Sequence, residues 1–148
     1  YDDVTDIRKK GRKFNAKFLK SCPEAIQQET GLTEAGLETT LKTMLQPWYR
    51  YFVNYDPATV LPKVKCPVLA VNGDKDLQVP AKLNLEGIEK LLKSGGNDQV
   101  LTRTFPGLNH LFQTCETGAI SEYGTIEETF SPVVLKLVAD WITEQTEK

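Results

Sequence analysis

One histidine, one methionine and three cysteines are all that 148 residues contain of these types, and each scarcity closes off a class of function. The cysteines, Cys22, Cys66 and Cys115, are odd in number and lack Cys-x-x-Cys spacing, which argues against a disulfide framework and against a zinc site. No apolar run approaches the ~20 residues that a membrane span requires, so no membrane span is expected. An excess of one charge is lacking too. Eighteen Lys and Arg stand against 20 Asp and Glu, a net charge of -2, which gives no reason to expect a nucleic-acid partner. The basic residues that do cluster, Arg8, Lys9, Lys10, Arg12, Lys13 and Lys17, alternate with apolar side chains and read as a solvated helix face. No signal peptide is expected within these residues, which open Tyr1-Asp2-Asp3-Val4 and hold a single methionine, Met44. Further sequence upstream of Tyr1 is therefore expected, and any targeting segment with it.

What is present divides into two parts, a helical segment over residues 1–56 and an α/β segment over residues 57–148. In the first, residues 3–20 and 33–54 carry apolar positions at helical spacing. Thr33 followed by Glu34 marks the start of the second stretch, and Pro47 breaks or kinks it. Trp48, Phe52 and Tyr55 then fall on one helix face, where packing against a sheet is the expected role and lining an acyl pocket the alternative. In the second part, Asp56-Pro57 starts a short helical turn. Cys66 to Asn72 is a nearly unbroken apolar run, too short for a helix and apolar on both faces, as a buried parallel strand is. Residues 81–94 place Leu85, Ile88, Leu91 and Leu92 on one stripe, ended by Gly95-Gly96. A second strand fits Gln99 to Phe105. Ser131-Pro132 reads as an N-cap with proline at the first helical position, and the helix behind it is expected to bury Val133, Val134, Leu137, Val138, Trp141 and Ile142.

Strand, helix and strand at this spacing make a βαβ unit, so the strands are expected to be parallel neighbours. In an open parallel sheet, function collects at the carboxyl ends of the strands. There the first strand offers Asn72-Gly73-Asp74-Lys75-Asp76-Leu77-Gln78-Val79-Pro80, and the second Phe105-Pro106-Gly107-Leu108-Asn109-His110. Adjacent parallel strands lie ~4.8 Å apart, so topology brings an aspartate to the sole histidine. An acid bonded to one imidazole nitrogen fixes the tautomer and stabilises the imidazolium formed when the other nitrogen takes a proton. Asp74 and Asp76 both qualify by position. Gly-Asp-x-Asp also suits a plain turn, and it suggests a metal loop, but no third or fourth ligand follows at a useful spacing. Neither a metal nor a cofactor is expected.

Gly73-x-x-Asp76-x-x-Val79-Pro80 after a Pro-Val-Leu strand, then Pro106-Gly107-x-Asn109-His110 before a final amphipathic helix, resembles the α/β-hydrolase superfamily. The segment from Tyr55 to Pro80 is similar to its serine esterases and dienelactone-hydrolase-like members. The resemblance spans about residues 45–146. It implies the C-terminal part of an α/β-hydrolase fold preceded by a helical cap, with Asp76 as the acid and His110 as the general base of a Ser-Asp-His triad. By the same pattern Asp76 is preferred over Asp74, because the acid stands three residues before the Val-Pro pair.

The nucleophile of that triad belongs in Gly-x-Ser-x-Gly, and this chain has no such motif. Ser21, Ser94, Ser121 and Ser131 are its serines. Cys66 precedes its strand, Cys115 follows His110 and Cys22 lies in the helical part, so no cysteine replaces the serine. Two parallel strands also do not make a stable sheet alone. The expected partner is thus an N-terminal half of the same hydrolase, bringing the serine and the other strands, and the expected substrate is a small acyl ester. The competing readings are a peptidase or acyltransferase on the same fold, and an inactive hydrolase-like binding module.

Overall fold

The computed structural model describes residues 4–147; Asp3, where the first helix is expected to open, lies outside them. The chain divides into two compact units, one ending at Tyr55 and one beginning at Asp56.

The first unit consists, in its described residues, of four helices and their short connections, with α1 (Val4–Ser21), α2 (Glu24–Thr30), α3 (Glu34–Met44) and α4 (Pro47–Asn54). Thr33 caps α3 by accepting a hydrogen bond from the Gly36 N–H at 3.1 Å. Pro47 does more than kink the stretch over 33–54. It opens α4 at its first helical position, where the missing N–H would have had no intrahelical partner. The short α2 is not anticipated by periodicity; Pro23 precedes it and Gly31, at φ 64°, ends it. α1 packs on α3, where Gly11 makes room for Leu41: a Cβ on the glycine would come within 2.6 Å of Leu41 Cδ1. Burial here is sparse. Leu41 and Leu45 are buried, whereas Trp48, Phe52 and Tyr55 stand 61%, 70% and 44% exposed, so α4 carries its aromatic stripe on the outside.

In the second unit, β1 (Val68–Gly73), α5 (Ala81–Ser94), β2 (Val100–Phe105) and α6 (Pro132–Thr146) follow one another, with 3-10 turns at Pro57–Thr59, Leu61–Lys63 and Ile120–Glu122. β1 starts two residues later than the apolar run suggests, because Pro67 has no N–H to give a ladder. The strands are parallel and in register from Val68 opposite Val100 to Gly73 opposite Phe105, and α5 packs on both. Asn97, almost fully buried, fastens the turn before β2. Its amide donates to the carbonyls of Val64 and Cys66, and its carbonyl accepts from the Gln99 N–H.

Phe105, Leu108 and Val134 form the buried centre, flanked by Val71, Phe112, Leu137 and Val138. The buried stripe of α6 is narrower than its sequence suggests: Val134 is fully enclosed, but Val133 and Ile142 are 66% and 49% exposed. At 3.6 residues per turn, Val134, Leu137, Val138 and Trp141 share one face, and Val133 and Ile142 lie roughly 90° to either side of it. Ser131 occupies the N-cap position, yet its side chain makes no cap bond. Its backbone N–H instead donates to Phe112 O at 2.8 Å, tying the start of α6 to the loop after β2.

Candidate active site

Because Gly73 and Phe105 are register partners at the carboxyl ends of β1 and β2, the loops that follow the two strands leave the sheet side by side. Gly73 is what lets them touch. A Cβ there would collide with the carbonyl oxygen of Leu108 and come within 2.8 Å of that of Asn109, backbone atoms that cannot swing away. The two loops are also stitched together. The Asp74 N–H donates to Phe105 O and the Lys75 N–H to Leu108 O. Lys75 Nζ reaches the carbonyls of Cys115 and Glu116 at 3.0 and 2.7 Å, and Gln78 donates to the Tyr123 hydroxyl at 2.8 Å.

Within this frame, His110 Nδ1 lies 2.9 Å from Asp76 Oδ2. The Asp76 side chain is 5% exposed and that of His110 37%, so the acid is sheltered while the imidazole reaches solvent. Oδ1 of Asp76 accepts the N–H groups of Gln78 and Val79 at 2.9 and 2.8 Å, an Asx-type turn. Oδ2 accepts, besides His110, the side-chain amide of Asn72 at 3.0 Å. Burial pushes the Asp76 carboxyl up, but the bonds from Val79, His110 and Gln78 outweigh it and hold the group below its ordinary value of 3.8. It is therefore a carboxylate at neutral pH, an acceptor only, and the 2.9 Å contact is satisfied by a proton on Nδ1. With that proton on Nδ1, the ring's lone pair lies on Nε2, which has no hydrogen-bond partner among the described residues.

Asp74, the other carboxylate of the same loop, faces elsewhere: its Oδ1 accepts the Gly107 N–H at 2.7 Å and so pins the turn that leads to His110. Of the two aspartates, the one bonded to the imidazole is Asp76.

The histidine loop is held by residues whose holding role the sequence pattern does not show. Asn109 is fully buried; its carbonyl accepts the Leu111 and Gln113 N–H groups and its amide donates to Gln113 Oε1. Gln113 in turn donates to Glu128 O. The sequence marks Asn109 only as a member of the Pro106-Gly107-x-Asn109-His110 motif, without its partners or its part in holding the loop. Phe112 has φ 56°, a left-handed conformation that costs a bulky side chain of order 1–3 kcal/mol. Its ring stacks edge-on against Phe105 at 6.4 Å and lies 5.2 Å from that of Phe130, and its carbonyl takes the Ser131 N–H. These contacts offset the strain and fix the turn from which His110 projects.

None of the serines stands on a strand-to-helix turn. Ser21 and Ser94 end α1 and α5, Ser121 sits in a 3-10 turn, and Ser131 is buried before α6. Cys115 lies near the pair in sequence, but burial, with Glu122 adding to it, pushes its thiol up from the ordinary value, the wrong direction for a thiolate nucleophile. Among the described residues no three His, Cys, Asp or Glu side chains converge as a metal site, and no helix is long and apolar enough to cross a membrane. A concavity of about 650 Å³ borders Asp76, with Leu77, Pro80, Leu85, Thr102 and Thr104 in its walls; His110 is not among its lining residues.

A sequence profile of the prolyl oligopeptidase family matches residues 25–145. No curated protein and no solved structure matches the chain.

Proposed function

From the premise that the chain belongs to the prolyl oligopeptidase family, serine hydrolases of α/β-hydrolase fold, we propose that it supplies the acid and the general base of an acyl hydrolase, Asp76 and His110, to a serine carried outside residues 1–148. The observation that carries this reading is the 2.9 Å bond between His110 Nδ1 and the sheltered carboxylate of Asp76, with Nε2 left to accept a proton. In the reaction, His110 Nε2 takes the proton of the serine hydroxyl as its oxygen attacks the substrate carbonyl, and then gives that proton to the leaving alcohol. An acyl-enzyme remains. Water attacks it with His110 again as base, and the carboxylic acid leaves as the serine regains its proton. Asp76 stays ionised throughout, holding the ring and stabilising the imidazolium.

The remaining strands and the serine turn are assigned to an N-terminal half of the same hydrolase. Support comes from the two-stranded sheet of the described residues and from apolar side chains left exposed in the α/β unit, Leu77, Leu83, Val133, Leu135 and Ile142 among them. The division into a helical cap over 1–56 and a hydrolase core over 57–148 is part of the proposal; the all-helical make-up of the unit ending at Tyr55 favours it, and such a cap would shape substrate entry and exclude water.

The substrate implied by the resemblance to serine esterases is a carboxylic ester. The family match favours a second reading, hydrolysis of a peptide bond, since the same pair serves both. Kinetics on the complete protein decide between them, with a short-chain p-nitrophenyl ester and a prolyl p-nitroanilide as substrates. Turnover of the ester alone supports the esterase and turnover of the anilide the peptidase. In either case His110→Ala should lower kcat by at least about 10⁴-fold while the fold persists. Retained turnover in that variant would sink the assignment of His110 as the base, whereas a complete protein that turns over neither substrate and does not react with a fluorophosphonate would leave the binding module in its place.

A further inference from the structure

Asn72 is the last side chain of β1 before the glycine that admits the histidine loop, and it is 8% exposed. Both protons of its amide are used, one on Asp76 Oδ2 at 3.0 Å and one on the Val79 carbonyl at 3.0 Å. We propose that Asn72 is the positioning residue of this pair: by gripping the same carboxylate oxygen that binds His110 Nδ1, it sets the plane of the Asp76 carboxylate and thereby the direction of the imidazole. This inference rests on the reading of Asp76 and His110 as acid and base.

The geometry separates this role from plain loop closure. The Asp76 carboxylate has one oxygen committed to the backbone, since Oδ1 binds the N–H groups of Gln78 and Val79. Those bonds anchor that oxygen, but the other remains able to tilt about it. Oδ2 is constrained by two side chains, Asn72 from the strand and His110 from the neighbouring loop. The first is rigid, because β1 is laddered to β2 along its whole length. The second is the group to be oriented, and cannot be its own reference. Of the side chains on Oδ2, the strand-borne amide is thus the one that supplies direction. Its second bond, to Val79, closes the loop 73–80 on the same strand, so the loop and the acid it carries are referred to one fixed point. An apolar side chain of equal size would preserve the packing and leave Oδ2 with the imidazole alone.

The test uses the complete protein. Asn72→Leu removes the donor at similar volume, Asn72→Ser keeps a shorter donor, and His110→Ala serves as the reference for a dead base. Folded, competent sites are counted by fluorophosphonate titration and thermal melting, and kcat and KM are measured per titrated site. The expected result is a fall in kcat of roughly 10- to 100-fold for Asn72→Leu, the size carried by one hydrogen bond to a charged group, with KM unchanged and partial recovery in Asn72→Ser. The strongly downfield proton resonance of the Asp–His bond, absent in His110→Ala, should move or broaden in Asn72→Leu. Wild-type kcat per site in Asn72→Leu overturns the proposal, as does a loss confined to KM. Should Asn72→Leu fail to fold, Asn72→Ser carries the test: unaltered kcat with an unmoved resonance overturns it equally. Failure of the underlying reading looks different, because either His110→Ala would then keep its activity or no site of the parent protein would titrate.

Discussion

The two loops that meet at the sheet edge are built on opposite principles. Residues 74–80 form a short connection governed by contacts a few residues apart: Asp76 turns the chain by accepting the N–H groups of Gln78 and Val79, and Asn72 closes it through Val79. Residues 106–131 form a long connection whose shape depends on groups far away in sequence. Gln113 reaches Glu128, Lys75 reaches Cys115 and Glu116, and Ser131 reaches Phe112. Asp76 is held by local turn chemistry, His110 by a polar network and three aromatic rings. A site assembled this way has a stiff half and a half whose precision depends on many weak bonds acting together.

The largest effect that separates the two halves should come from the acid itself. Asp76→Asn keeps the size of the side chain and retains an acceptor for the turn. However, it removes the charge opposite His110 and permits the imidazole to take the wrong tautomer. In the complete protein kcat is expected to fall by about 10⁴-fold with a smaller loss of stability, since Asn72 and His110 lose a shared acceptor, measured by steady-state kinetics alongside calorimetry. An equal loss of stability and activity would mean that the short loop, too, is held by the carboxylate's charge and not only by its shape.

Next in size is a change in the long loop that should act on stability first. Asn109 is fully buried and its side chain makes three hydrogen bonds. Asn109→Ala strands Gln113 Oε1 and two N–H groups, and each stranded buried group costs roughly 1–3 kcal/mol. With partial rehydration, a destabilisation of about 3 kcal/mol is expected from denaturant unfolding. Activity should fall as well, because the turn that projects His110 loosens. A variant that is as stable as the parent would show that the long loop is held by Phe112 and its aromatic neighbours, and not by the polar network.

The same contrast explains what could be read from residues alone. The parallel strands, the helix between them and the meeting of an aspartate of the first loop with His110 all follow from short-range pattern: an apolar run, a helical stripe, and turn residues at a strand end; the choice of Asp76 over Asp74 follows only from the family resemblance. The family resemblance read from the Gly73 to Pro80 and Pro106 to His110 segments agrees with the profile match over residues 25–145. What could not be read depends on distant partners. Nothing near Asn109 announces that its amide will meet Gln113 and that Gln113 will meet Glu128. Nothing in Phe112 announces a left-handed backbone, since that conformation is stabilised by Phe105, Phe130 and the N–H of Ser131. Val133 and Ile142 are misjudged for another reason. Hydrophobicity marks what can be buried, and helix geometry marks which face is covered in this unit; the two criteria differ at the edges of a stripe.

The smallest expected effect is the sharpest test of the short loop, because it compares two aspartates two residues apart. Asp74 and Asp76 are alike in type and both follow β1, but their carboxylates do different work. Asp76 is sheltered and shares an oxygen with His110; Asp74 is exposed and accepts the Gly107 N–H through Oδ1. Asn at position 74 keeps a carbonyl oxygen for that N–H and gives up only a charge that solvent already screens. Asp74→Asn should therefore alter stability by no more than about 0.5 kcal/mol, and kcat/KM by roughly a factor of two. Run beside Asp76→Asn, it isolates the bond to the imidazole from everything else the loop does. If Asp74→Asn proved as damaging as its neighbour, the turn at Gly107 would be setting the position of His110 as strongly as the acid does. The division of labour between a stiff half and a networked half would then have to be redrawn around the stitches between the loops.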